Sequence, residues 1–196
     1  YNKVILRTLK NGTTCASYFA TIDLATTEIF TDLLLEKGQR AYVGKVCMDH
    51  NEKFPSYCES LEESIETQGK IIEYIEKTYD RKNISNASQK IVTPIVTPRF
   101  GPSCSKELLQ SLGEISHQEK LPIQTHISEN LKEVELMKDL YPSYKDYASV
   151  YDHFKLLTER TILAHAIHLT ELECSLIKQK KCLISHCPTS NTFISL

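Results

Sequence analysis

A histidine and a glutamate stand three residues apart in the stretch QTHISEN, as His126 and Glu129. The apolar residues LPI precede this stretch and the helix-like run LKEVELMKDL follows it, so the pair lies where a strand becomes a helix. An imidazole there can bind zinc, and the glutamate can carry a proton from a water. The H-x-x-E spacing is weak evidence, because an acidic residue in a first helical turn also stabilises the helix dipole. Both interpretations stay open at this point.

Other strand-like runs also end in residues that can bind a ligand. His165 follows TILA, His186 follows CLIS, and Arg99 with Phe100 follows IVTP. The planar guanidinium of Arg99 suits an acceptor-rich planar ligand, and the ring of Phe100 can stack on it. The alternative for Arg99 is an ion pair with a carboxylate on a neighbouring helix. Histidines on adjacent strands suggest a metal site more strongly than either histidine alone.

Strand-like and helix-like segments alternate along the chain. These elements must position the histidines, Glu129 and Arg99. Runs rich in apolar and β-branched residues predict strands, and amphipathic runs predict helices. The predicted strands are 13–20, 40–48, 91–100, 121–128, 161–166 and 182–188. The predicted helices are 4–12, 26–38, 60–79, 105–118, 129–140, 143–157 and 170–180. A polar loop with two glycosylation sequons is predicted at 81–90, and the final SNTFISL is predicted to contain no helix.

Such alternation indicates an α/β fold with right-handed β-α-β units on a parallel sheet. The sheet could be an open doubly wound one or part of a (β/α)₈ TIM barrel. No glycine-rich nucleotide-binding fingerprint follows the first strand. Ligand-binding residue types recur at the carboxyl ends of strands, and in a barrel those ends converge on one mouth. We therefore predict a partial (β/α)₈ barrel, with residues 1–196 belonging to a single domain.

The composition excludes several classes of partner. The net charge is −2 with no basic stripe, which argues against nucleic acid and anionic membranes. No apolar run approaches the roughly 20 residues that span a bilayer. Seven cysteines without C-x-x-C spacing indicate reduced thiols, so a cytoplasmic location is expected. Four tyrosines at near-helical spacing indicate core packing rather than a ligand cage, namely Tyr141, Tyr144, Tyr147 and Tyr151.

Several stretches, taken in order, resemble the guanine deaminases of the amidohydrolase superfamily. TPRF, HISEN and HCPTSN are shared with related deaminases and chlorohydrolases, whereas YPSYKDYASVYD and GQRAYVGKVCMD are typical of guanine deaminases. The full set of matching stretches is RTLKNGTT, GQRAYVGKVCMD, IVTPRF, THISEN, YPSYKDYASVYD, AH and SHCPTSN.

The resemblance implies a metal-dependent (β/α)₈ barrel that converts guanine and water to xanthine and ammonia, with zinc as cofactor. It implies that His126 is a zinc ligand and that Glu129 is the proton carrier. His165 is expected to face the substrate or the attacking water. The purine site is expected to include Arg99, Phe100, His126 and Glu129. A homodimer is expected for the complete protein, with a purine as its partner and no nucleic acid or membrane.

The chain also departs from the family pattern. The first-strand H-x-H and the eighth-strand aspartate that supply other zinc ligands have no counterpart in these residues, so we expect an internal fragment with six of eight strands, inactive alone. Ala166 stands where the family usually has glycine, and RFGPSCS differs from the usual residues after RF. The alternatives are a related amidohydrolase acting on another purine or a triazine, and a non-catalytic scaffold homologue.

Overall fold

The computed structural model describes residues 1–81 and 90–194. The polar loop predicted at 81–90, with its sequons at Asn83 and Asn86, lies outside the described residues except at its two ends. No helix in the described part of the chain is both long enough and apolar enough to cross a membrane.

Helices and strands alternate along the chain as the sequence predicts. The helices are α1 Asn2–Lys10, α2 Leu24–Lys37, α3 Leu61–Arg81, α4 Lys106–Glu119, α5 Leu131–Leu140, α6 Tyr147–His153, α7 Glu171–Gln179 and α8 Pro188–Ile194, with a 3₁₀ turn at Gly101–Ser103. The strands are β1 Cys15–Phe19, β2 Arg40–Gly44, β3 Val46–Cys47, β4 Val92–Pro94, β5 Thr97–Pro98, β6 Ile123–Ile127, β7 Thr161–His165 and β8 Leu183–Ser185.

These eight segments form six parallel strands whose neighbours follow chain order. β2 and β3 are two halves of one strand, and β4 and β5 are two halves of the next. The pairing keeps one register across both breaks, with Ala41 opposite Val92 and Val46 opposite Thr97. The order is β1, β2/β3, β4/β5, β6, β7, β8, and the bridge between Val96 and Ile123 joins β4/β5 to β6. A doubly wound sheet would reverse this order at a switch point, whereas a barrel sheet does not.

The sheet is rolled rather than flat. The Ser17 hydroxyl donates to Gln124 Oε1 over 2.5 Å, and Gln124 Nε2 donates to the Tyr18 carbonyl over 2.8 Å. These residues belong to β1 and β6, which are three strand spacings apart in the sheet, or about 14 Å if the sheet were flat. Contact between them requires the sheet to curl around a central interior. The predicted partial (β/α)₈ barrel with six strands is therefore confirmed.

Several of the helices begin at a polar side chain that accepts hydrogen bonds from free backbone N–H groups. Asp23, Ser105 and Asn130 accept hydrogen bonds from the amides of Thr26, Leu108 and Glu133, which fixes the first turns of α2, α4 and α5. Because Asn130 caps α5, this helix begins at Leu131 rather than at the predicted 129. Glu129 therefore lies in the turn between β6 and α5, outside the helix.

The prediction that SNTFISL contains no helix is wrong, because Pro188–Ile194 forms α8. Pro188 stands at the first helical position, where its missing N–H costs nothing and its fixed φ suits the helix. The Asn191 amide donates to the Cys187 carbonyl over 2.8 Å, and the Thr192 hydroxyl donates to the Pro188 carbonyl over 2.8 Å. The sequence showed no apolar periodicity here because α8 buries no side chain.

Candidate active site

Two histidines meet at the carboxyl ends of β6 and β7. The ring centroids of His126 and His165 lie 5.3 Å apart, and their planes are inclined by 22°. The two strands pair in parallel with Ile127 opposite His165, so both strands end at the same level. The structure thus brings together two residues that are 39 positions apart in the chain (165 − 126). His186, after β8, is exposed and lies at the periphery of this pair.

The tautomer of His126 is set by its backbone neighbour. His126 Nδ1 lies 2.6 Å from the Arg99 carbonyl oxygen. A carbonyl can only accept, so Nδ1 carries the proton and Nε2 keeps its lone pair. Burial lowers the pKa of His126 and so favours the neutral ring. A neutral imidazole with a carbonyl on one nitrogen is the usual arrangement of a histidine that binds a metal through the other nitrogen.

Glu129 reaches His165 on the other side of the histidine pair. Glu129 Oε1 is 3.2 Å from His165 Nε2, while His165 Nδ1 is 2.9 Å from Asn191 Oδ1. The Asn191 amide nitrogen points to the His165 carbonyl over 3.4 Å, which leaves its oxygen to face the ring. The buried Glu133 accepts the Glu129 backbone N–H over 3.0 Å and holds this turn in place. His165 and Glu129 are therefore close enough to share a proton.

Three non-glycine residues at this mouth have left-handed backbone conformations. Ser128 has φ 51°, His165 has φ 72° and Ala166 has φ 53°. The Ile167 and His168 amides both donate to the Ser128 carbonyl over 3.1 Å, so the two turns support each other. Such conformations cost free energy and persist where the surrounding structure enforces them, often at functional sites. Here they turn the chain sharply at the ends of β6 and β7 and place Glu129 against His165.

The left-handed Ala166 leads to a prediction about stability. Ala166→Gly is expected to raise the free energy of unfolding by about 0.5–1 kcal/mol. Glycine removes a strain of about 1–2 kcal/mol but adds about 0.4–1 kcal/mol of unfolded-state entropy. The measurement is urea-induced unfolding. Ala164→Gly in β7, where φ is not positive, is the control and should destabilise. Equal destabilisation by both changes would refute a strained Ala166.

Arg99 and Phe100 lie next to His126. Phe100 forms a parallel bridge with His126, and the Arg99 guanidinium carbon is 5.5 Å from the Phe100 ring centroid. The Arg99 side chain is exposed, and no carboxylate in residues 1–81 or 90–194 pairs with it. Within the described residues, Arg99 therefore does not form the ion pair with a helix carboxylate that was the alternative. The guanidinium stays available for a ligand.

A cleft of about 600 Å³ borders Arg99 and Phe100. This volume lies within the usual range of small-ligand sites. Its other lining residues come from the segment after β3, from the 3₁₀ turn, and from α5 with its N-cap, and they include the exposed aromatic side chains of Phe54 and Tyr57. His126, Glu129 and His165 do not line it. Arg99 and Phe100 thus stand between the cleft and the histidine pair.

Two residues of the site escaped the sequence reasoning. Phe19, at the end of β1, packs its ring 4.5 Å from the His126 ring. Asn191, on α8, contacts both His165 and His186, whose Nδ1 lies 3.0 Å from Asn191 Nδ2. The only available signals were the aromatic residue that ends the first strand and the position of Asn191 inside HCPTSN. Neither signal states which histidine the residue would contact.

The fit of a metal to this site can be judged from the donors. His126 offers a lone pair on Nε2, whereas the nitrogens of His165 are engaged by Glu129 and Asn191. Across the described part of the chain, no group of three or more His, Cys, Asp or Glu residues could hold a metal ion. His126 therefore suits a metal as one ligand of a larger set.

The sequence profile of the amidohydrolase family matches residues 1–195. The chain belongs to the amidohydrolase family. Among curated members, it is 49% identical to the guanine deaminase of Homo sapiens over 196 residues, which are all of this chain and 41% of the human protein. The chain spans about two fifths of the length of the curated relatives that it matches.

Two solved deaminase structures have a similar architecture. A guanine deaminase from C. acetobutylicum, with guanine bound in its active site, superposes with a TM-score of 0.88 at 40% identity. All of this chain is aligned, and it covers 45% of the length of that guanine deaminase. An adenosine deaminase from Xanthomonas campestris with bound zinc superposes with a TM-score of 0.79 at 20% identity. All of this chain is aligned, which corresponds to 40% of the length of that deaminase. At this identity the similarity supports the fold alone.

Proposed function

We propose that the protein carrying this chain is a zinc-dependent guanine deaminase that converts guanine and water to xanthine and ammonia. The convergence of His126, Glu129 and His165 at one end of the rolled sheet carries this proposal. The 49% identity to a guanine deaminase favours guanine over another purine or a triazine, and favours an enzyme over a scaffold. Residues 1–196 are proposed to be part of a single catalytic barrel domain.

Location and assembly are proposals of the same kind. All seven cysteines are free thiols, which is typical of proteins in a reducing compartment and supports a cytoplasmic location. A homodimer is proposed from the family resemblance alone. The prediction that these residues are inactive by themselves also stays a prediction, supported by the finding that residues 1–81 and 90–194 contain no group of three His, Cys, Asp or Glu residues that could hold a metal ion.

The proposed chemistry assigns each residue one task. His126 Nε2 would hold zinc, which when bound supplies a nucleophilic water near neutral pH. Glu129 would take a proton from the attacking water and deliver it to the departing amine, so that a C–O bond forms and a C–N bond breaks. His165 holds the Glu129 carboxylate at 3.2 Å and can stabilise developing negative charge on oxygen. Arg99 donates to the acceptor atoms of the purine, and Phe100 packs against its face.

The complete protein tests this proposal directly. Purified protein with zinc should consume guanine and release xanthine and ammonia in equal amounts, and a chelator should stop the reaction until zinc is restored. Adenine and a chlorinated triazine serve as competing substrates and should react at least about 100-fold more slowly, because a site built to hydrogen-bond one substrate discriminates strongly against others. If adenine or the triazine reacted faster than guanine, that compound and not guanine would be identified as the substrate. No turnover of any of them by zinc-loaded protein would favour the scaffold.

Arg99 gives a second test of the proposal. Arg99→Lys is expected to raise KM for guanine about 10-fold to 100-fold, since a hydrogen bond from a charged donor contributes about 1.5–3 kcal/mol and lysine lacks the planar fork. Steady-state kinetics of the complete protein measure the effect. The control is Arg160→Lys, an exposed arginine at the opposite end of β7, which should leave KM unchanged. An unchanged KM in both variants would remove Arg99 from purine recognition.

A further inference from the structure

Two tyrosines of α6 do more than fill the core. Tyr147 and Tyr151 are buried, as the predicted core packing requires. Their hydroxyl oxygens lie 3.1 Å apart, one helical turn from each other. Buried phenol hydroxyls need hydrogen-bond partners, and the identity of these partners shows what the pair holds in place.

Tyr151 holds the backbone of the predicted zinc ligand. Its hydroxyl donates to the His126 carbonyl over 2.9 Å. Because a carbonyl only accepts, this bond uses the single proton of Tyr151. Any hydrogen bond between the two hydroxyls is therefore donated by Tyr147, and Thr125, 3.1 Å from the Tyr151 oxygen, is a second donor to it.

Tyr147 holds the segment that presents Arg99 and Phe100, which we call the recognition turn (99–101). The Gly101 amide donates to the Tyr147 oxygen over 2.9 Å. The approach is close: a Cβ on Gly101 would lie 2.9 Å from a Tyr147 ring carbon and 2.6 Å from the Met137 sulfur. The absence of a side chain on Gly101 thus leaves room for this contact.

The bonds form one directed chain between two strand ends. It runs from the Gly101 N–H through the hydroxyls of Tyr147 and Tyr151 to the His126 carbonyl. Hydrogen bonds arranged in series polarise one another and strengthen the chain. A second link joins the same two ends directly, because the Arg99 carbonyl accepts the His126 Nδ1 proton over 2.6 Å. The orientation of the His126 ring therefore depends on where the recognition turn lies.

We propose that Tyr147 and Tyr151 are positioning residues that set the location of the recognition turn relative to His126. This proposal rests on the proposed function for its kinetic consequences. Tyr147 acts on the turn and hence on purine binding. Tyr151 acts on the strand end that bears His126 and hence on the metal and the chemical step.

The test uses Tyr147→Phe and Tyr151→Phe in the complete, zinc-loaded protein. Phenylalanine keeps the ring and removes only the hydroxyl, whose bond contributes about 0.5–1.5 kcal/mol, or roughly a 2-fold to 10-fold effect. Tyr147→Phe should raise KM for guanine by about that factor. Tyr151→Phe should lower kcat and weaken zinc binding by about the same factor, because its hydroxyl positions the main chain of His126 rather than the imidazole ring.

Tyr141→Phe is the matched control. Tyr141 is equally buried and its hydroxyl also donates to a backbone carbonyl, that of Cys104, over 3.3 Å, but it makes no bond to the recognition turn or to His126. It should lose comparable stability and keep wild-type kinetics and zinc affinity. Kinetics of Tyr147→Phe and Tyr151→Phe that match this control would reduce both tyrosines to core packing. If Tyr147→Phe folds poorly, Gly101→Ala disturbs the same contact from the other side and should raise KM likewise. A normal KM for Gly101→Ala would overturn the role of Tyr147.

The two proposals fail in different ways. A wild-type protein that does not deaminate guanine counts against the proposed function, whereas an active wild type with unaffected variants counts against the positioning role. Zinc affinity, measured by competition with a chromophoric chelator, does not depend on the substrate. An unchanged zinc affinity in Tyr151→Phe therefore overturns the role of Tyr151 even if the substrate is not guanine.

Discussion

Glu129→Gln is expected to lower kcat for guanine deamination by about 10²–10⁴-fold, the usual contribution of a positioned proton carrier. Glutamine has the shape of glutamate and can still contact His165 Nε2, from which Glu129 Oε1 lies 3.2 Å away, but it cannot take up a proton. Glu129→Ala should be at least as inactive. Steady-state kinetics of the complete protein measure the loss, and circular dichroism with zinc analysis shows that fold and metal are retained.

Glu135→Gln is the control for this change. Glu135 is exposed on α5, so the substitution removes the same charge near the site without touching His165. Its kcat should equal that of the wild type. A folded, zinc-bearing Glu129→Gln variant that keeps more than about a tenth of wild-type kcat would exclude Glu129 as the proton carrier, because the smallest expected loss is about 10²-fold.

Glu59→Leu is expected to lower the free energy of unfolding by about 3–5 kcal/mol, the usual cost of breaking a buried ion pair. Lys45 lies at the break between β2 and β3, and its side chain is entirely buried. Its Nζ is 2.6 Å from the Glu59 carboxylate, which also accepts the hydroxyls of Ser64 over 2.9 Å and Thr67 over 3.1 Å. Without Glu59 the ammonium group is left in the interior with no carboxylate partner. Urea-induced unfolding measures the loss.

Two comparisons sharpen this prediction. Glu66→Gln breaks the pair with Lys70 on α3, in which both side chains are more than half exposed, and should cost less than about 1 kcal/mol. The double change Lys45→Met with Glu59→Leu removes both charges and should recover most of the stability lost by Glu59→Leu. A Glu59→Leu variant no less stable than Glu66→Gln would show that the buried pair has no such role.

The order of elements could be predicted from the sequence for a local reason. Apolar and β-branched runs bounded by Gly and Pro have a strand period, and the runs between them have a helix period. The residues with reactive side chains were found because they follow these strands, and parallel strands in a barrel end at one mouth. His126, Glu129 and His165 come together as that argument predicts. Their proposed roles rest on the resemblance and await the substitutions above.

By itself, then, the sequence determined the alternation of strands and helices and the residues at the strand ends, because both follow from short-range periodicity. Only the tertiary structure decided which distant groups meet, such as Asn191 with His165 and Lys45 with Glu59. It also decided the left-handed turns at Ser128 and Ala166. The physical reason is that closure of the sheet sets distances between residues far apart in the chain, and those contacts in turn impose backbone conformations that the residues do not favour alone.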